Sequence, residues 1–104
     1  MEWLITRQKV QAFSALSGDD NALHHDATFA QQLGFEQPIA HGMLLMALAE
    51  GAWQQHYKVC PTTMRCQFVY PVPIPSVITV RLTKKEIHAY NAEQLVLHVV
   101  FEEE

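Results

Sequence analysis

The run Met43-Leu44-Leu45-Met46-Ala47-Leu48-Ala49 is apolar on every side of the helix it would form. A helix without a polar face is normally buried on most sides or embedded in a membrane. This run is far shorter than the roughly 20 residues a bilayer demands. In a chain of 104 residues, the length of one domain, only a sheet curling round the helix can hide that much surface.

The residues after the helix supply such a sheet. Met64, Cys66, Phe68 and Tyr70 alternate with polar neighbours, as a half-buried strand requires. Pro71, Pro73 and Pro75 end that strand and force an extended connection. Ile78, Val80 and Leu82 alternate again, His88 sits in a strand pattern, and Asn91 falls in a hairpin turn before Leu95, Leu97, Val99 and Phe101. Upstream, Glu2 to Thr6 reads as a short first strand. Val10, Phe13 and Leu16 mark one face of a helix over Arg7 to Leu16, which Gly18 terminates. Asp26 is placed to cap a short helix running to Leu33. His41-Gly42 opens the apolar helix, expected over Met43 to Tyr57. The fold class is α+β, with an antiparallel sheet wrapped round a central hydrophobic helix, in a single domain over 1–104.

Nearly half the residues are hydrophobic and 17% are charged, which favours a packed core over disorder. The net charge of −4, with no basic cluster, argues against a nucleic-acid partner. Glu102-Glu103-Glu104 reads as a solvated terminus. Cys60 and Cys66 form neither a CxxC pair nor a disulfide framework, and Cys66 is expected as a buried thiol. No basic segment leads into a long apolar stretch at the N-terminus. A soluble, cytoplasmic protein without a membrane partner is the expectation.

Two segments hold residues suited to chemistry. In "SGDDNALHHDATFA", Asp19 and His24 lie five apart, close enough to converge on a small target. A carboxylate and an imidazole sharing one water can move protons in both directions, which is worth about 10²- to 10⁴-fold in rate. The competing expectation is a set of Asx turns at Asp19 and Asn21, with His24 capping a helix. In "PIAHGM", a glycine after His41 would let a ligand reach the backbone without a Cβ in the way. The free N–H groups of the first turn favour an oxyanion there. Asp19, His24, His25 and His41 match no usual zinc spacing, so no metal is expected. His25 is expected to face away from His24 into solvent, and His56 to lie near a helix C-terminus.

Phe13-x-x-Leu16-Ser17-Gly18-Asp19-x-Asn21-x-Leu23-His24, followed by Pro38-Ile39-Ala40-His41-Gly42-Met43, resembles the MaoC-like, (R)-specific enoyl-CoA hydratase family. The resemblance implies the hot-dog fold, a sheet wrapped round a central helix. It implies that Asp19 and His24 are the catalytic pair, which hold and deprotonate water and exchange the proton at the α-carbon. Gly42 matches the residue whose N–H binds the thioester carbonyl oxygen, and Asn21 would orient the pair. The implied reaction is hydration of a 2-enoyl thioester, or dehydration of a 3-hydroxyacyl thioester, with no cofactor. The acyl group would arrive on coenzyme A or a carrier protein, and the working form would be a homodimer or a higher homo-oligomer. Three departures stand out: Ala22 replaces a usual proline, Glu50 replaces a small hydroxyl residue, and the family's last strand is lacking. Glu50 shares a helix side with Gly42, and either lines the pocket, where it would favour short acyl chains, or points to solvent. A thioesterase on the same fold and a non-catalytic acyl-thioester binding or assembly module are the alternative functions.

Overall fold

A computed structural model of the protein describes residues 1–102; Glu103 and Glu104 of the expected acidic terminus lie outside the described residues. The chain runs β1 (Glu2–Ile5), α1 (Arg7–Ser17), a 3₁₀ turn (Ala22–His24), α2 (Ala27–Gln32), α3 (Gly42–Tyr57), β2 (Thr63–Phe68), β3 (Ser76–Leu82), β4 (Glu86–Asn91) and β5 (Gln94–Glu102). All five strands join one antiparallel sheet in the order β1-β3-β4-β5-β2. Among the described residues no strand follows β5.

This order explains why the helix is central. Consecutive strands β1 and β2 occupy opposite edges, so the chain between them must cross the whole sheet. Five strands span about 19 Å at ~4.8 Å spacing. The 16 residues of α3 cover about 24 Å, enough to make that crossing.

The sheet buries one side of α3. Leu44, Leu45, Ala49 and Trp53 pack with Ile5, Ile78, Val80, Ile87, Ala89, Leu97 and Val99. Trp53 stacks on Phe101 at 4.9 Å, and its Nε1–H donates to the Lys84 carbonyl at 2.9 Å. The apolar run is covered on most sides, as expected, but not on all. Met43 is 63% exposed and Ala47 is exposed too, because a single sheet covers only the face it wraps.

Two strand expectations also change. β2 stops at Phe68, and Phe68 and Tyr70 are exposed rather than in the core, since β2 is an edge strand with little above its end. In β5 the pairing jumps from Ala89↔Leu97 to Tyr90↔Leu95. Val96 is the extra residue of this bulge, and it is buried where Leu95 is only partly so. Its carbonyl accepts the Val69 and Tyr70 N–H groups at 2.9 and 3.4 Å, which ties the chain leaving β2 to the sheet. The hairpin turn is Ala92-Glu93, with Asn91 closing β4. Cys66 is half-buried, and burial pushes its thiol pKa up.

Candidate active site

Local capping sets the positions of the site residues. Gly18 ends α1 at φ 80°, a left-handed conformation that glycine adopts freely, and its N–H donates to the Ser14 carbonyl at 2.9 Å. Asn21 then starts the 3₁₀ turn, its Oδ1 accepting the Leu23 N–H at 2.9 Å. The Asx cap expected as the alternative for Asn21 therefore exists, and it is this cap that swings His24 inward. Asp26 caps α2 by accepting the Thr28 and Phe29 N–H groups.

The turn lies against the segment before α3. That segment is pinned by three backbone bonds: Ile39 N–H to Leu23 O, Ala40 N–H to Val72 O, and Ile74 N–H to Pro38 O. His24 Nδ1 sits 2.7 Å from the Ile39 carbonyl. A carbonyl only accepts, so Nδ1 carries the proton, and in the neutral ring Nε2 keeps its lone pair. Nε2 lies 3.8 Å from Asp19 Oδ2. The two atoms are too far apart to bond each other, yet both can reach one water about 2.8 Å from each. His24 is nearly enclosed, with 11% of its side chain exposed, whereas the Asp19 side chain is 55% exposed. One partner is held rigidly and the other meets solvent.

His41 holds this arrangement from beneath. It is 2% exposed, and its ring stacks on His24 with centroids 3.7 Å apart at 24°. Its Nε2–H donates to the Asp19 backbone carbonyl at 2.9 Å, with Ser14 Oγ at 3.1 Å. The backbone of Asp19 is thereby fixed while its carboxylate stays free. His41 Nδ1 is buried without a hydrogen-bond partner.

His25 is exposed, as expected, and it also makes contacts that the sequence did not suggest. Its Nε2 lies 2.8 Å from Ser14 Oγ and 2.9 Å from Asp20 Oδ1, so it anchors the turn to α1. Ser14 and Asp20 were not singled out from the sequence. The signal for Ser14 was its place four residues after Val10, on the buried face of α1.

Gly42 begins α3, and His41 provides no side-chain cap. The first-turn N–H groups therefore donate no bond to the N-cap side chain. A Cβ on Gly42 would stand 3.2 Å from Cε1 and Cζ of Phe68, so the exposed ring of Phe68 flanks the helix start. Glu50 does not join this group. It is exposed, and its Oε1 accepts from Gln54 Nε2 at 2.8 Å.

One donor atom each of Asp19, His24 and His41 falls within 4.8 Å of the others. His24 Nδ1 and His41 Nε2 are already committed to carbonyls, which leaves His24 Nε2 and His41 Nδ1 without a hydrogen-bond partner. A cleft of about 570 Å³ shares Ile39 with the site and is walled by Tyr70, Pro71, Pro73, Asn91 and Val96. Among the described residues no helix is long and apolar enough to cross a membrane.

Comparison with known proteins identifies the family and the fold. The (R)-specific enoyl-CoA hydratase of Aeromonas caviae is 56% identical over 43 residues, which are 41% of this chain and 32% of that protein. The peroxisomal hydratase-dehydrogenase-epimerase of Saccharomyces cerevisiae is 38% identical over 52 residues, 50% of this chain and 6% of that protein. The aligned stretches thus span a third or less of these relatives. The solved (R)-hydratase of A. caviae, involved in PHA biosynthesis, superposes with a TM-score of 0.80 at 27% identity, covering 97% of this chain and 88% of that one. An unliganded R-hydratase of Pseudomonas aeruginosa gives 0.76 at 27% identity, covering 100% and 79%. The model of the MaoC like domain family matches residues 2–103, and the chain belongs to that family, with its hot-dog fold.

Proposed function

We propose that the chain is a hydro-lyase acting on acyl thioesters, adding water to a 2-enoyl thioester or removing it from a 3-hydroxyacyl thioester. The observation that carries this reading is the placement of His24 between the Ile39 carbonyl and Asp19. Its Nδ1–H is held by the Ile39 carbonyl, which leaves Nε2 as a base beside Asp19 Oδ2 at 3.8 Å. In hydration the pair takes a proton from water as the oxygen bonds the β-carbon, and a proton is delivered to the α-carbon. The Gly42 N–H, at the positive end of α3, receives the negative charge developing on the thioester oxygen. One such donor is worth about 3 kcal/mol in the transition state. These residues complete the step without a cofactor. The cleft beside Ile39 gives the acyl chain or its carrier arm a place to lie.

The reading includes a homodimer. The exposed apolar side of α3 at Met43 and Ala47, with Phe68 nearby, is the kind of patch a second copy covers. Light scattering is expected to give at least twice the chain mass at micromolar concentration, and a monomer refutes this part. Crotonyl-CoA tests the chemistry. Loss of the enoyl absorbance with no free thiol supports hydration, whereas released thiol marks a thioesterase. Neither signal leaves the binding or assembly module.

A further inference from the structure

The outer face of the sheet, turned away from α3, carries a cluster that the proposed reaction does not use. Strand alternation sends Ile87 and Ala89 of β4, and Leu97 and Val99 of β5, into the core. Glu86, His88 and His98 therefore share the opposite face. The register sets His88 directly across from His98. Their rings stack with centroids 4.4 Å apart at 18°. His98 Nε2 is 3.6 Å from Glu86 Oε1, and His88 Nε2 is 4.0 Å from Glu86 Oε2. Neither distance is a hydrogen bond. His98 Nε2 is moreover buried with no hydrogen-bond partner, a state that folded proteins rarely leave uncompensated.

We propose that Glu86, His88 and His98 form a binding site for a divalent transition-metal ion of the zinc class. One donor atom from each lies within 4.8 Å of the other two. A tetrahedral ion with bonds of about 2.1 Å separates its ligands by about 3.4 Å. The contacts of 3.6 Å to His98 and 4.0 Å to His88, made by different oxygens of Glu86, would shorten toward that separation as one oxygen takes the ion. The stacked rings must also splay so that each Nε2 points at the ion in its ring plane. That motion uses χ2, a broad torsion, on side chains that are about one-third exposed. Two imidazoles and a carboxylate select zinc, nickel or copper over magnesium or calcium, which prefer oxygen ligands alone. Three protein ligands leave a fourth position for water.

Two neighbouring cations, Arg81 and Arg65, are directed elsewhere. Arg81, cross-strand from His88, lies over the Tyr90 ring at 5.6 Å, and Arg65 is paired with Glu102 at 2.7 Å. The bound ion would cross-link β4 and β5 with the sheet between it and α3.

The test is equilibrium dialysis of the full chain against zinc chloride at neutral pH. The wild type is expected to bind an ion that His88→Gln/His98→Gln weakens by at least about 100-fold, more than loss of an outer ligand partner costs. His24→Ala, which dismantles the other histidine cluster, is expected to retain that ion. Glu86→Gln repeats the measurement should the double variant lose its native circular dichroism. No zinc uptake by the wild type at tens of micromolar overturns the proposal. So does binding that survives in the folded double variant or in Glu86→Gln, and so does loss of the ion in His24→Ala.

Discussion

Replacing Gly42 by alanine separates the stability of the helix start from its role in binding charge. Gly42 has no left-handed backbone angle, so alanine meets no backbone strain there. Restricting the unfolded chain should stabilise by about 0.4–1 kcal/mol. Against this, the new Cβ stands 3.2 Å from two ring carbons of Phe68, so the ring must retreat by a few tenths of an ångström. Phe68 is 49% exposed and can do so at a cost of about 1 kcal/mol or less. The two effects nearly cancel, so Tm should change by no more than about 4–8 °C. Turnover should not be spared. The displaced ring and added methyl crowd the N–H that the thioester oxygen must approach, and small misplacements at a reacting centre cost about 10²-fold. Thermal melts followed by circular dichroism and the crotonyl-CoA assay read the two quantities separately. Native turnover in a native-stability variant refutes the assignment of charge binding to Gly42, and a loss of several kcal/mol refutes the packing argument.

Asp19→Asn and His24→Ala should each reduce turnover by at least about 10²-fold, with the double variant little worse, because the two act on one water; additive losses in steady-state kinetics would separate them. Glu50→Ser should leave the acyl chain-length profile unchanged, since Glu50 is exposed and bonded only to Gln54; acceptance of longer chains would place it in the pocket. The raised pKa of Cys66 means the native state keeps a proton that the unfolded chain loses near its ordinary value of 9.0. Its contribution to stability is therefore full below that value and is lost as pH rises through the folded pKa; urea melts of wild type and Cys66→Ala between pH 8 and about pH 10 should diverge in that sense.

Much of the fold was legible because burial leaves periodic marks. The three-residue spacing of Val10 and Phe13, the alternation along β3 and the capping residues Gly18 and Asp26 each report a local backbone state, and each element stands where those signals put it. The pairing of Asp19 with His24 was also readable, since a tight turn confines residues five apart. Other features depend on contacts between distant segments, which local pattern does not encode. The tautomer of His24 is decided by the Ile39 carbonyl, and the fixing of Asp19 by His41, 22 residues away. The β5 bulge that buries Val96 comes from register with β4. The row of Glu86, His88 and His98 exists only once the hairpin closes. Sequence determined which residues prefer helix, strand or turn, and which side of each is apolar; tertiary structure decided which polar atoms meet, because hydrogen bonds and ion pairs act over a few ångströms and the chain reaches those distances only after the core has packed.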